Sequence, residues 1–133
     1  MNIKRNIVWI AFVISFLVLV NCRKKQEDTC VSNTTAQVTK VSGPRTISVN
    51  QEAALSVDYY LFNGCGNFEN IQSISNDNTV VISLIVKYQG CVCTDNLITG
   101  QTIFKFKAAQ PGIYYLKFLQ PNKTYLIDTM TVN

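Results

Sequence analysis

The sequence has no histidine. That removes the commonest general base at neutral pH and the commonest metal ligand. It argues directly against Ser-His-Asp and Cys-His enzymes. The only tryptophan, Trp9, lies in the first apolar run. The rest of the chain therefore lacks the ring best suited to stacking on a cation. Charged residues make up only 15% of the chain, and the net charge of +4 is concentrated at one end. Lys4, Arg5, Arg23, Lys24 and Lys25 supply five of the 12 basic residues, and Glu27 and Asp28 two of the 8 acidic ones. From Val31 onward seven basic residues face six acidic ones. A domain so close to neutral carries no electrostatic footprint for nucleic acid.

The longest apolar run is also short. Residues 7–20 are interrupted only by Ser15 and are preceded by Lys4 and Arg5. A membrane-spanning helix needs about 20 apolar residues. A signal-peptide core needs about 7–15. This run fits the second, and Arg23, Lys24 and Lys25 prevent its extension. It ends in Leu19-Val20-Asn21-Cys22, which resembles the lipobox of bacterial lipoproteins. In that family an apolar residue stands three places before a cysteine, as Leu19 does here. The resemblance implies cleavage before Cys22, acyl chains on that cysteine, and a lipid bilayer as partner. Stable anchoring takes about two chains, because one gives only marginal binding. Charges just after the lipidated cysteine influence sorting in such lipoproteins, and Glu27-Asp28 is a candidate signal. The expected address is the bacterial envelope, at the outer membrane. The expected organisation is a signal peptide over 1–21, a charged tether over 22–35 and one domain over 36–133.

Beyond the tether, short alternating segments are separated by turn residues. Strands are expected over 36–41, 46–49, 53–62, 68–75, 79–89, 101–108, 113–119 and 124–132. In the third, Leu55, Val57, Tyr59 and Leu61 share one face. In the fifth, Val80, Ile82, Leu84, Val86 and Tyr88 do so, with Val81 and Ile85 on the other face. A strand that is apolar on both faces belongs in the middle of a sheet. In the sixth, Phe104 and Phe106 point inward and Lys105 and Lys107 outward. The inward face of the last strand is ambiguous. Seven or eight such strands predict an all-β fold, an antiparallel β-sandwich. Gln110-Pro111-Gly112-Ile113-Tyr114 resembles the tyrosine corner of immunoglobulin-like domains, with Tyr114 as the corner residue. The resemblance implies an immunoglobulin-like sandwich, although the Cys-Trp-Cys pattern of antibody domains is absent.

Besides Cys22, four cysteines remain: Cys30, Cys65, Cys91 and Cys93. In an exported domain an even count favours disulfides. Cys91 and Cys93 are too close in sequence to bridge comfortably. A hairpin centred on Asp77 would set residue 65 opposite residue 89, which favours Cys65–Cys91 with Cys30–Cys93 over the exchanged pairing. The rival is a thiolate site for Zn²⁺ or Cu(I), since Cys91-Val92-Cys93 is a C-x-C pair. The disulfide framework would hold the loop around Gly64 and Gly66 against residues 90–100. That makes Gly64, Gly66, Asn96, Leu97 and Ile98 the candidate binding loop, because loops on a rigid scaffold commonly carry recognition. The carboxylates Glu52, Asp58, Glu69, Asp77, Asp95 and Asp128 show no spacing that demands a catalytic acid and base. The chain therefore reads as a non-catalytic, membrane-tethered module for protein binding or envelope structure, without a cofactor and with a protein partner. Metal binding and hydrolysis are the alternatives.

Overall fold

The computed structural model describes residues 30–133, which form nine strands in two sheets. The leader, Cys22 and most of the tether lie outside the described residues. The strands are β1 (Val31–Thr35), β2 (Gln37–Ser42), β3 (Thr46–Ile47), β4 (Glu52–Leu61) and β5 (Gly66–Asn76). They continue with β6 (Thr79–Gln89), β7 (Ile98–Lys107), β8 (Gly112–Leu119) and β9 (Tyr125–Val132). The all-β sandwich expected from the alternation is present.

The smaller sheet has the order β2-β4-β7 and is antiparallel throughout. The larger sheet is organised by β6. Along one edge β6 pairs with β5 over nearly its whole length. Along the other edge its first half pairs with β8, in parallel, and its second half pairs with β1. β9 then pairs with β8, and β3 runs parallel to β9. The central position of β6 explains its apolar outer positions at Val81 and Ile85, which are half-buried. The parallel pairing of β6 with β8 departs from a purely antiparallel arrangement. It arises because β7, which lies between β6 and β8 in the sequence, belongs to the other sheet, so the chain returns to run β8 in the same direction as β6.

One boundary moves. Val31–Thr35, placed in the tether by the sequence reading, forms β1 on the edge of β6. The Ala36 N–H donates to the Leu84 carbonyl, and the chain then crosses to the other sheet as β2. β2 and β3 are thus two pieces of one broken edge segment, one in each sheet.

The core lies between the sheets. Leu55, Val57, Ile82, Leu84, Val86, Leu116 and Phe118 have no exposed surface. Phe104 from the small sheet meets Phe118 from the large one edge-on, with ring centroids 6.1 Å apart. Such contacts add a directional term to area burial. The Tyr114 hydroxyl donates to the Gln110 carbonyl at 3.0 Å, closing the turn ahead of β8. Its ring packs edge-on against Phe106 at 5.3 Å.

Two buried polar side chains close the open sides. Gln120 Oε1 accepts the Val38 N–H at 3.0 Å, and Gln120 Nε2 donates to the Val38 carbonyl at 3.3 Å. A side-chain amide there does what a neighbouring strand would do. Asp128 points inward on β9 and pairs with Arg45 from the β2–β3 connection. Arg45 also accepts the Thr131 N–H at its carbonyl, so the pair fixes β3 beside β9. A buried carboxylate is tolerated when paired and hydrogen-bonded.

Candidate functional site

Five strand ends converge on one pole of the sandwich. β4 ends there at Leu61, β6 ends at Gln89, and β1, β5 and β7 begin there. Register shows the convergence: Leu61 faces Ile98, Gly66 faces Tyr88, and Val31 faces Gln89. Two loops, residues 62–65 and 90–97, complete the pole.

The four cysteines lie in these segments and form two bridges, Cys30–Cys91 and Cys65–Cys93. Both bonds therefore leave the same loop, in opposite directions. The pairing Cys65–Cys91 with Cys30–Cys93, favoured from the hairpin register, is corrected. The cause is β1. Its register places Cys30 beside Gly90, whose N–H donates to the Cys30 carbonyl at 2.9 Å. Cys91 is the next residue, so it takes Cys30 on that edge. The loop then turns back, and Cys93 meets Cys65 on the β5 side. Residue 65 does lie opposite residue 89, since the Gln89 N–H donates to the Cys65 carbonyl at 3.1 Å. That register is reached by two compensating steps: the hairpin turns over two residues, Asp77 and Asn78, and a bulge at Glu69 then shifts the pairing by one. Gly90 has φ +145°, and a Cβ there would stand 2.8 Å from Cys65 Sγ. Only glycine fits that backbone and that gap.

A backbone hydrogen bond also joins the two loops, and side-chain bonds brace each of them internally. The Gly64 N–H donates to the Thr94 carbonyl at 3.0 Å, and the Cys65 N–H to Asn63 Oδ1 at 3.0 Å. The Thr94 hydroxyl donates to Asn96 Oδ1. Of the candidate loop residues, Gly64, Asn96 and Leu97 are exposed in these loops. Gly66 and Ile98 are not loop residues. Gly66 is the buried first residue of β5, where a Cβ would meet the Tyr88 ring at 2.9 Å. Ile98 opens β7 and packs half-buried against the core. Sequence reasoning passed over Val92, which is 94% exposed between the two bridged cysteines. Phe62, 44% exposed at the end of β4, was also passed over. Its N–H donates to the Tyr88 hydroxyl oxygen at 2.9 Å. The signal for both was an apolar residue next to a turn or a bridge.

The carboxylates are separated. Glu52 pairs with Lys105 at 2.9 Å, Asp128 with Arg45, and Asp58 Oδ1 accepts from Gln101 at 2.7 Å. Among the described residues, no group of three or more Asp, Glu or Cys is arranged to hold a metal ion. A shallow open groove of about 530 Å³ lies by Asp58, Tyr59, Tyr60 and Gln101. The Tyr59 ring, on the inward face of β4, approaches the Gly100 backbone so closely that a Cβ there would stand 2.5 Å from the ring.

Burial raises the Tyr59 phenol above its ordinary value of 10.0. The unfolded chain then loses this proton at lower pH than the folded one. Its contribution to stability is complete below about pH 10 and is lost as pH rises through the raised value. Urea midpoints measured from about pH 9 to about pH 11 should fall more steeply in the wild type than in Tyr59→Phe. Equal slopes would show that Tyr59 ionises as freely in the folded state as in the unfolded one.

No curated protein matches the chain, and no solved structure matches it. The family model described as the ORF11 β-sandwich domain matches residues 55–132. The match runs from within β4 to the end of β9 and includes Cys65, Cys91 and Cys93, with Cys30 ahead of it. The chain belongs to the ORF11 β-sandwich domain family.

Proposed function

We propose that the protein is a non-catalytic lipoprotein of the bacterial envelope, tethered to the membrane through Cys22. Its sandwich serves as a protein-binding or structural module. The observation that carries this reading is the join between leader and domain. An apolar run of signal-peptide length ends at a lipobox-like cysteine, and eight residues later Cys30 is bridged into the sandwich. Two disulfides in a domain of this size fit an oxidising compartment outside the cytoplasm. They also weigh against the thiolate-metal alternative, because a bridged sulfur is no longer a thiolate ligand. The separation of Glu52, Asp58 and Asp128, each engaged with its own partner, weighs against hydrolysis. The charges after Cys22 favour placement at the outer membrane, on its periplasmic face or on the cell surface.

Intact mass of the protein extracted from membranes tests the reading. The expected mass begins at Cys22, carries acyl chains and shows four oxidised cysteines. Cys22→Ser should abolish both the cleavage after Asn21 and the acyl mass. Two long chains contribute on the order of 20 kcal/mol of membrane affinity, at about 0.8 kcal/mol per buried methylene. Anchoring is therefore all or none on the scale of a fractionation. A wild-type mass without acyl chains would sink the proposal.

A further inference from the structure

The described domain says which of its ends meets the membrane. Resting on the lipoprotein reading, we infer that the disulfide-bonded pole lies on the bilayer surface, with Phe62, Val92 and Leu97 in contact with lipid. Three observations carry this.

The first is chain length. Cys22 and Cys30 are eight residues apart, which spans at most about 28 Å when fully extended. The strands of the sandwich are as long as the extended tether: β4 has 10 residues, or about 33 Å at the usual rise. The pole at which β1 begins is therefore held close to an anchor at Cys22, and the opposite pole, at Asp77-Asn78 and Gln110-Pro111, is held away from it.

The second is rigidity. Cys30 is covalently joined to Cys91, in the loop that carries Val92, and that loop is joined through Cys93 to Cys65. The end of the tether and the apolar tips cannot separate.

The third is what this pole exposes. Val92 is 94% exposed, Leu97 64%, and Phe62 and Val31 44% each. They come from three separate segments, β1 and the two loops, yet all sit where these segments meet. The loop of residues 90–97 has one charge, Asp95, so the pole offers contact rather than repulsion. Apolar side chains presented this way enter the boundary between headgroups and acyl chains by about 5–10 Å. Arg23, Lys24 and Lys25 follow the anchor directly, where basic residues are attracted to anionic lipid.

The mature domain has no tryptophan of its own, which provides the test. Val92→Trp and, as a control, Gln110→Trp at the opposite pole each introduce one reporter at an exposed position. The full chain, processed in its membrane and reconstituted in phosphatidylethanolamine–phosphatidylglycerol vesicles, is compared with and without acyl-brominated lipid. The expected result is a blue-shifted emission for Val92→Trp that brominated lipid quenches, and a water-like, unquenched emission for Gln110→Trp. If both reporters are water-like while the protein floats with the vesicles, the docking is overturned and the anchor stands. If the protein does not float, the anchor reading falls and the docking with it. Emission from the parent protein, from Trp9, would mean that the leader was retained, which also overturns the proposal as built on Cys22.

Discussion

Replacing Cys30 and Cys91 together with serine should lower unfolding stability by about 4 kcal/mol. The bridge closes 61 residues of separation and its neighbour closes 28. The chain-entropy relation gives about 4.3 and about 3.6 kcal/mol respectively. The two loops overlap in sequence, so the effects are not independent, and removing both costs less than their sum. A domain of this size has roughly 5–15 kcal/mol in total. One bridge is thus a large share, and reduction of both should leave the domain at the edge of unfolding. The loss should be uneven. β1 is five residues long, has four exposed positions, and is held by one edge of β6 and by Cys30. Without the bridge its amides should exchange freely while those of β4 stay protected. Urea unfolding and amide exchange of the double variant check both parts. A midpoint unchanged from the wild type would show that β1 holds without its covalent link.

Phe118→Ala should cost about 3–5 kcal/mol, the range for emptying a fully buried aromatic site. Phe118 has no exposed surface, and its ring meets Phe104 across the interface between the two sheets. The cavity would open where the layers are joined, and Phe104 would lose its edge-on partner. Ile127→Ala is the counterpart on the outer face of β9, where the side chain is 57% exposed. A surface change of this kind usually stays within about 0.5 kcal/mol. The contrast is the informative quantity in urea unfolding. Similar losses from both would mean that the outer face of the large sheet is itself covered by something in solution.

The strands were legible where alternation is simple. Leu55, Val57, Tyr59 and Leu61 mark the inward face of β4, and Phe104 and Phe106 that of β7, because each alternates with polar residues. β1 was not legible. Val31-Ser32-Asn33-Thr34-Thr35 has one apolar residue and no alternation, and only the free edge of β6 makes it a strand. That omission carried through to the cysteines, because the position of Cys30 decides which partner Cys91 takes. The face of β9 was ambiguous for another reason. Asp128 occupies an inward position, which reads as outward until Arg45 is brought beside it from a distant connection. Gln120 is similar: an amide in a turn carries no sign that it will bond the Val38 backbone. At the pole, two of the five residues that the sequence reading assigns to the loops lie outside them. Gly66 and Ile98 are drawn into strands, and the exposed apolar tips are Val92 and Phe62 as well as Leu97.

The bridge at the first residue of the domain also governs how the molecule bears load. Tension applied to the chain ahead of Cys30 would, in an unbridged protein, peel β1 from β6 one hydrogen-bonded pair at a time. Here the force leaves the backbone at Cys30 and passes through the sulfurs to Cys91, at the end of the most deeply paired strand. From the same loop it is shared through Cys93 with Cys65 and β5. The strand nearest the point of pull is thereby bypassed, and the load falls on covalent bonds before it reaches any ladder of hydrogen bonds.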